Sequence, residues 1–241
     1  GIAARFRYGG CRILRGYSRE GGLMPFLVNY SVTCRNPGRL LAMCGMRPPA
    51  CGREEAGFLR ALASVPPSEL KALFLVMGGF MDGLKGYARK IAESLPEDMA
   101  ARSDVVYREH DEGRRALDII RLYAERGRPL ILAGHSWGAS SLVLDAAAPA
   151  RVPVALLVTL DPVDWRDPPD CLPHVARWVN VYVDYDAAPW ANRGNMAARI
   201  GRAWEALPGA DVNRVYSAGR HSRALDMFGE GAMDEVRRAL E

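Results

Sequence analysis

The pentapeptide Gly134-His135-Ser136-Trp137-Gly138 constrains this chain more than any other stretch. The apolar run Pro129-Leu130-Ile131-Leu132-Ala133 leads into it, and the small-residue stretch Ala139-Ser140-Ser141-Leu142-Val143-Leu144 leaves it. That order reads as strand, sharp turn and helix, with a serine at the apex. In a G-x-S-x-G elbow the serine sits on a strained turn, its hydroxyl exposed at the end of the sheet. Glycines flank it because side chains there would collide with the adjoining strand and helix. Ser136 is therefore the predicted nucleophile. A merely structural Gly-rich turn would explain the pattern, but not its position between an apolar strand and a small-residue helix start.

The rest of the chain supplies a scaffold for such an elbow. Ala72–Met77 reads as a buried strand running into Gly78-Gly79-Phe80, followed by a helix over Leu84–Leu95 that Pro96 ends. Asp104–Arg108 is a short strand. Arg114–Arg126 is an amphipathic helix with Ala116, Ile119, Ile120 and Tyr123 on one face and Gly127 as its stop. After the elbow come strands at Val154–Leu160, Trp178–Val183 and Asn213–Tyr216, then a terminal helix over Asp226–Leu240. Strands alternating with helices at this spacing predict an α/β fold: a mainly parallel sheet flanked by helices on both faces. Right-handed crossovers put the C-terminal ends of all the strands on one edge, where ligands bind in open α/β sheets.

Residues 1–65 differ, being rich in Gly, Arg and Cys with little periodicity. They are expected to form an N-terminal extension before a domain over 66–241, with a strand within Phe26–Val32 and a short helix over Glu54–Ala63 closed by Val65-Pro66-Pro67. Four of the five cysteines (Cys11, Cys34, Cys44, Cys51) fall here, and Cys171 is the fifth. No C-x-x-C pair occurs and no histidine lies among those four, so no metal site is expected. The pattern reads first as free thiols of a reducing, cytoplasmic compartment, whereas a disulfide pair belongs to the exported alternative.

Composition excludes several classes. Lys+Arg 32 against Asp+Glu 28 leaves a net charge of only +4, and the arginines are scattered, so no nucleic-acid partner is expected. No uninterrupted apolar run approaches the roughly 18 residues of a spanning helix. Arg5, Arg7, Arg12 and Arg15 are not followed by a clean apolar stretch with a cleavage site, so no leader is expected.

A serine hydroxyl needs a general base, and the base needs an orienting carboxylate. Of His110, His135, His174 and His221, only His221 follows the last strand, in a loop on the active edge, and it is the favoured base; His174 is the second candidate. His135 adjoins the serine, so its side chain should point away from the hydroxyl. For the acid, Asp161 caps the strand after the elbow unit, and Asp184 and Asp186 follow the next strand. Asp161 is favoured: it is the first residue past a wholly apolar strand, and Pro162 turns the chain there. A developing oxyanion needs N–H donors, expected from Trp137 and from Gly79 or Phe80.

From Lys71 onward the chain resembles the α/β-hydrolase superfamily. Ser136, Asp161 and His221 occur in its order Ser…Asp…His, and Leu160-Asp161-Pro162 resembles the acid position of lipase-type members. Most other members place the acid one strand later, which points to Asp184 or Asp186. The chain is a minimal version with no large lid; Trp165–Pro173 and Asp186–Pro208 are the connections long enough for a small one. The resemblance implies acyl transfer from an ester or thioester, with a small-molecule or lipid acyl substrate and no metal or organic cofactor. It also implies an acyl pocket lined by Trp137, Phe80, Met81 and Trp190, which otherwise read as ordinary core residues. An esterase, lipase or thioesterase is expected, ahead of an acyltransferase using the same serine or a catalytically silent binding protein that keeps the fold.

Overall fold

In a computed structural model of the protein, residues 64, 66, 70–80 and 82–241 are described, with five short strands nearer the N-terminus. These are β1 (Arg5–Tyr8), β2 (Cys11–Leu14), β3 (Gly16–Tyr17), β4 (Leu23–Met24) and β5 (Asn29–Tyr30). The helix expected over Glu54–Ala63, the candidate pocket residue Met81 and Cys34, Cys44 and Cys51 lie outside the described residues.

Six longer strands follow: β6 (Ala72–Gly78), β7 (Ser103–Glu109), β8 (Leu130–His135), β9 (Leu156–Leu160), β10 (Trp178–Tyr182) and β11 (Val212–Val215). With β5 they form one sheet in the order β11-β10-β9-β8-β6-β7-β5. Every neighbouring pair is parallel. Seven consecutive residues of β6 are buried, as expected of a parallel strand covered on both faces.

The period of two along β6 sorts its side chains between two cores. Phe74 and Val76 pack on one face with Ile91, Met99 and Phe228; Leu73, Leu75 and Met77 pack on the other with Ile119, Ile120 and Val143. The helices are α1 (Asp82–Lys85), α2 (Arg89–Glu93), α3 (Glu97–Arg102), α4 (Gly113–Glu125), α5 (Trp137–Ser141, continued by a π-helical turn over Leu142–Ala147), α6 (Arg193–Ile200), α7 (Ala224–Gly231) and α8 (Met233–Ala239). The result is a parallel sheet flanked by helices on both faces, compatible with the α/β-hydrolase fold. No helix among the described residues is long and apolar enough to cross a membrane.

Three expectations change. The helix expected over Leu84–Leu95 is two pieces, because Gly86 takes φ +68 between α1 and α2. Pro96 also starts a helix, as the residue before α3. The terminal helix is broken at Ala232, where φ is −136. Helices α3 and α6 were not anticipated; α6 has a weak apolar period and is started by Asn192, whose side-chain oxygen accepts the N–H groups of Gly194 and Asn195.

The strand order fixes where a ligand can sit. From β6 the chain moves outward to β7, crosses back to β8 on the other side of β6, then steps on through β9, β10 and β11. The direction reverses between β6 and β8, and the crevice beyond their C-terminal ends is the expected ligand site of such a sheet. Gly78-Gly79-Phe80 and Ser136 border that crevice.

A row of polar side chains crosses β9, β10 and β11 inside the sheet. Trp178 Nε1–H donates to Thr159 Oγ1 at 3.1 Å, Thr159 Oγ1–H to Asn180 Oδ1 at 2.9 Å, and Asn180 Nδ2–H to Asn213 Oδ1 at 2.9 Å and to the Glu205 carbonyl at 2.7 Å. Truncating Asn180 strands several buried partners, each worth about 1–3 kcal/mol when unsatisfied. Asn180→Ala should therefore lower the unfolding free energy in urea by about 3 kcal/mol. Val215→Ala on the exposed edge strand should stay within about 0.5 kcal/mol of the parent.

Candidate active site

Ser136 lies between β8 and α5 at φ 57, ψ −133, a conformation L-residues rarely adopt. Its neighbours make room for it. A Cβ on Gly134 would lie 2.6 Å from Ala139 Cα, and one on Gly138 would run into the Gly78 carbonyl. The flanking glycines thus let strand, turn and helix approach at the distances the turn requires.

The structure brings Ser136, His221 and Asp161 together. Asp161 follows β9 with φ 46 and has no solvent exposure. His221 Nδ1–H donates to Asp161 Oδ2 at 2.6 Å, and the Ser136 hydroxyl lies 2.9 Å from His221 Nε2. With the carboxylate fixing the proton on Nδ1, Nε2 is left as an acceptor for the serine proton. The other oxygen, Asp161 Oδ1, accepts the Val183 N–H at 3.1 Å, and Tyr185 O–H donates to Oδ2 at 2.5 Å.

The alternative acids stand apart from this chain of hydrogen bonds. Asp184 Oδ1 accepts the N–H groups of Asp186 and Ala187 at 3.0 and 3.3 Å, capping its own turn, and Asp186 is exposed. The second candidate base is also elsewhere: His174 Nε2–H donates to the Ala147 carbonyl at 2.8 Å. His110 packs its ring against Phe80 and Trp137.

The expected N–H donors border the hydroxyl. Trp137 is the first residue of α5, so its N–H has no acceptor within the helix. Gly79 lies against the serine: a Cβ there would stand 2.7 Å from Ser136 Cβ and 3.2 Å from Oγ. Only glycine allows the β6 loop to come this close.

Helix α6 holds the loops on either side. Asn195, fully buried, accepts the His221 N–H at 2.9 Å and donates to the Gly219 and Pro189 carbonyls at 2.8 and 3.2 Å. Arg199 donates to the carbonyls of Tyr185 and Ala188 at 2.5 and 2.8 Å. Asn195, Arg199 and Tyr185 were missed in the sequence. Their partners lie 6–36 residues away, and no local period marks them.

A cavity of about 600 Å³ opens beside Ser136 and His221, lined largely by apolar side chains including Phe80, Trp137, Val163, Trp165 and Ile200. Of the expected pocket residues, Phe80 and Trp137 line this cavity. Trp190 does not line the cavity: the residue is 70% exposed, and the Arg199 guanidinium lies 4.0 Å from its ring centre. That cation–π contact draws it off the pocket. Trp165, which was not anticipated, stands at the rim instead, edge-on to Trp137 with ring centres 5.5 Å apart.

His135 has its own place. Its Nε2–H donates to the His221 backbone carbonyl at 2.7 Å, and the two rings lie 4.8 Å apart. Burial first, and then the charge of a protonated His221, push its pKa down to about 4.

No protein-family model matches the chain, and no curated protein matches it. A solved structure, TT1662 from Thermus thermophilus, superposes on 71% of this chain and 90% of its own, with a TM-score of 0.38 and 16% identity. A likeness of that degree carries no argument, and the fold rests on the strand order and register above.

Burial of His135 makes stability depend on pH. In the unfolded chain an imidazole takes its proton near 6.5, whereas in the fold this one stays neutral down to about 4. Between those values the unfolded state binds more protons, so stability falls as pH falls, by roughly 3 kcal/mol at the lower end. Urea melts from pH 7 to 4 should show that decline in the parent and lose most of it in His135→Gln, whose amide can still donate to the His221 carbonyl. Equal slopes in both proteins would reject this origin.

Proposed function

We propose that this protein is a serine hydrolase of carboxylic esters or thioesters. The observation that carries the reading is the unbroken path from the Ser136 hydroxyl to His221 Nε2 at 2.9 Å and from His221 Nδ1 to Asp161 at 2.6 Å. It stands at the sheet's switch point, beside a largely apolar cavity suited to an acyl chain.

The chemistry follows from the geometry. Ser136 Oγ attacks the substrate carbonyl while His221 Nε2 takes its proton. Asp161 holds the imidazole in the Nδ1–H tautomer and stabilises the imidazolium that forms. The N–H of Trp137 and that of Gly79 or Phe80 receive the oxyanion. The tetrahedral intermediate collapses, the C–O or C–S bond breaks, and His221 Nε2–H protonates the leaving oxygen or sulfur. Water, deprotonated by His221, then attacks the acyl group on Ser136 Oγ, and the carboxylic acid leaves with the serine restored.

A fluorophosphonate probe should add to Ser136 in the parent and not to Ser136→Ala, as read by intact mass. A folded parent that takes no probe would favour a binding protein. In ester turnover, His221→Ala should reduce kcat by about 10⁶ if base and nucleophile act as one unit. Asp161→Asn should lower kcat by on the order of 10⁴. Asp184→Asn and Asp186→Asn should leave it near the parent value, since neither carboxylate touches the imidazole. Damage from either of those two, with Asp161→Asn active, would overturn the assignment of the acid.

A further inference from the structure

We propose that Tyr185 is a fourth member of the hydrogen-bonded path, a positioning residue whose hydroxyl shares Asp161 Oδ2 with His221 and tempers the pull of that carboxylate on the His221 Nδ1–H. The inference rests on the reading of Ser136, His221 and Asp161 as an acyl-transfer site, and it concerns a residue that neither the motif nor the resemblance marks.

Two donors converge on one oxygen. Tyr185 O–H lies 2.5 Å from Asp161 Oδ2 and His221 Nδ1 lies 2.6 Å from the same atom, while the two donors stand 3.4 Å apart. A carboxylate oxygen has two lone pairs, so Oδ2 is filled by these two donors, and Oδ1 is held by the Val183 N–H. Both Tyr185 and Asp161 are buried, so water does not compete for either bond. Burial, and then the Asp161 charge, push the ionisation of the phenol well above its ordinary range, so it remains a donor at any working pH.

Tyr185 is itself fixed. Arg199 donates to its carbonyl, and the guanidinium lies 5.1 Å from its ring centre. The same helix fastens His221 through Asn195. The phenol is therefore held in register with the imidazole by one rigid element and does not depend on a mobile loop.

The consequence has a sign. A strong donor on Oδ2 draws electron density away from the bond to Nδ1–H. Without it, the carboxylate offers more charge to the imidazolium, and protonated His221 is favoured. The carboxylate also loses one of the donors that orient it. The other ionisable groups around the cluster are His135, whose ring lies 4.8 Å from that of His221, with Asp82 acting on it; Arg199 and Glu205, which act on Tyr185; and Lys85, Tyr87 and Arg193, which line the same cavity as His221. All of them stay in place when only the Tyr185 hydroxyl is removed.

Tyr185→Phe should lower kcat about tenfold with KM unchanged, and move the acidic limb of kcat/KM upward by about half a unit to one unit. Replacing Tyr185 by 3-fluorotyrosine, a stronger donor of nearly the same shape, should move the limb the other way and keeps the test open if the Phe variant folds poorly. A Tyr185 that only fills space would leave the limb unmoved in both variants, and that result overturns the proposal. The ring ¹⁵N titration of His221, followed by NMR, reads the same midpoints without turnover. Should the parent neither take the fluorophosphonate probe nor cleave esters, the hydrolase reading fails, while the NMR midpoints still decide on Tyr185.

Discussion

A carboxylate sealed from solvent at the end of β9 is the constraint on which the active edge depends. An isolated buried carboxylate is unfavourable by several kcal/mol unless its oxygens are paired. Asp161 meets that demand with one donor from β10's exit, one from the tyrosine two residues further on, and one from a histidine 60 residues away. Two of the donors come from the exit of β10 and the third from the loop after β11. The positions of Val183, Tyr185 and His221 are thus conditions for burying the charge, and an ordered imidazole beside Ser136 is the by-product that chemistry can use.

Of the four non-glycine residues with positive φ among the described residues, two stand on the turns after β8 and β9, Arg151 and Arg202 being the others. Ser136 and Asp161 end neighbouring strands, and both have positive φ without being glycine. Such residues cost about 1–3 kcal/mol each and persist only where the surroundings over-determine them. Here the two turns brace each other: Ser136 N–H donates to the Leu160 carbonyl at 3.0 Å, and Val163 N–H to the Ser136 carbonyl at 3.3 Å. The Pro162 carbonyl accepts the Trp204 N–H at 2.7 Å, which ties the second turn to the segment after α6. Two strained turns locked to one another hold the serine and the acid at a fixed separation, into which the histidine loop fits.

What could be read in the sequence follows from where the physics is local. The elbow was legible because strand, glycines and helix start are contiguous. Asp161 was legible because a charge directly after a buried, mostly apolar strand needs a reason. His221 was legible by order and by its place after the last strand. Asn195 and Tyr185 were not, since their value lies in partners brought together only by folding. Helix α6 escaped for the same reason: Arg193-Gly194-Asn195-Met196-Ala197-Ala198-Arg199-Ile200 has little apolar period, and its inward-facing residues are an asparagine, an alanine and an arginine stem. Trp190 was misplaced because an aromatic near the active edge has two sinks, an apolar pocket and a cation, and Arg199 is the nearer one. The broken helices around Gly86 and Ala232 turn on single backbone angles that composition does not reveal.

Helix α6 then carries more of the site than its sequence suggests. Asn195 spans the histidine loop and the Pro189 turn, and Arg199, one turn later, spans Tyr185 and Ala188. Residues at i and i+4 lie on one face of a helix, so a single face grips both the acid side and the base side of the hydrogen-bonded path. The adjoining side of the helix is exposed at Met196 and Ile200, and Ile200 and Ala197 reach the cavity. The helix that lines the cavity is therefore the same one that fastens the His221 N–H and the Tyr185 carbonyl. Eight residues of helix thus join the cavity wall to the loops that carry His221 and Tyr185.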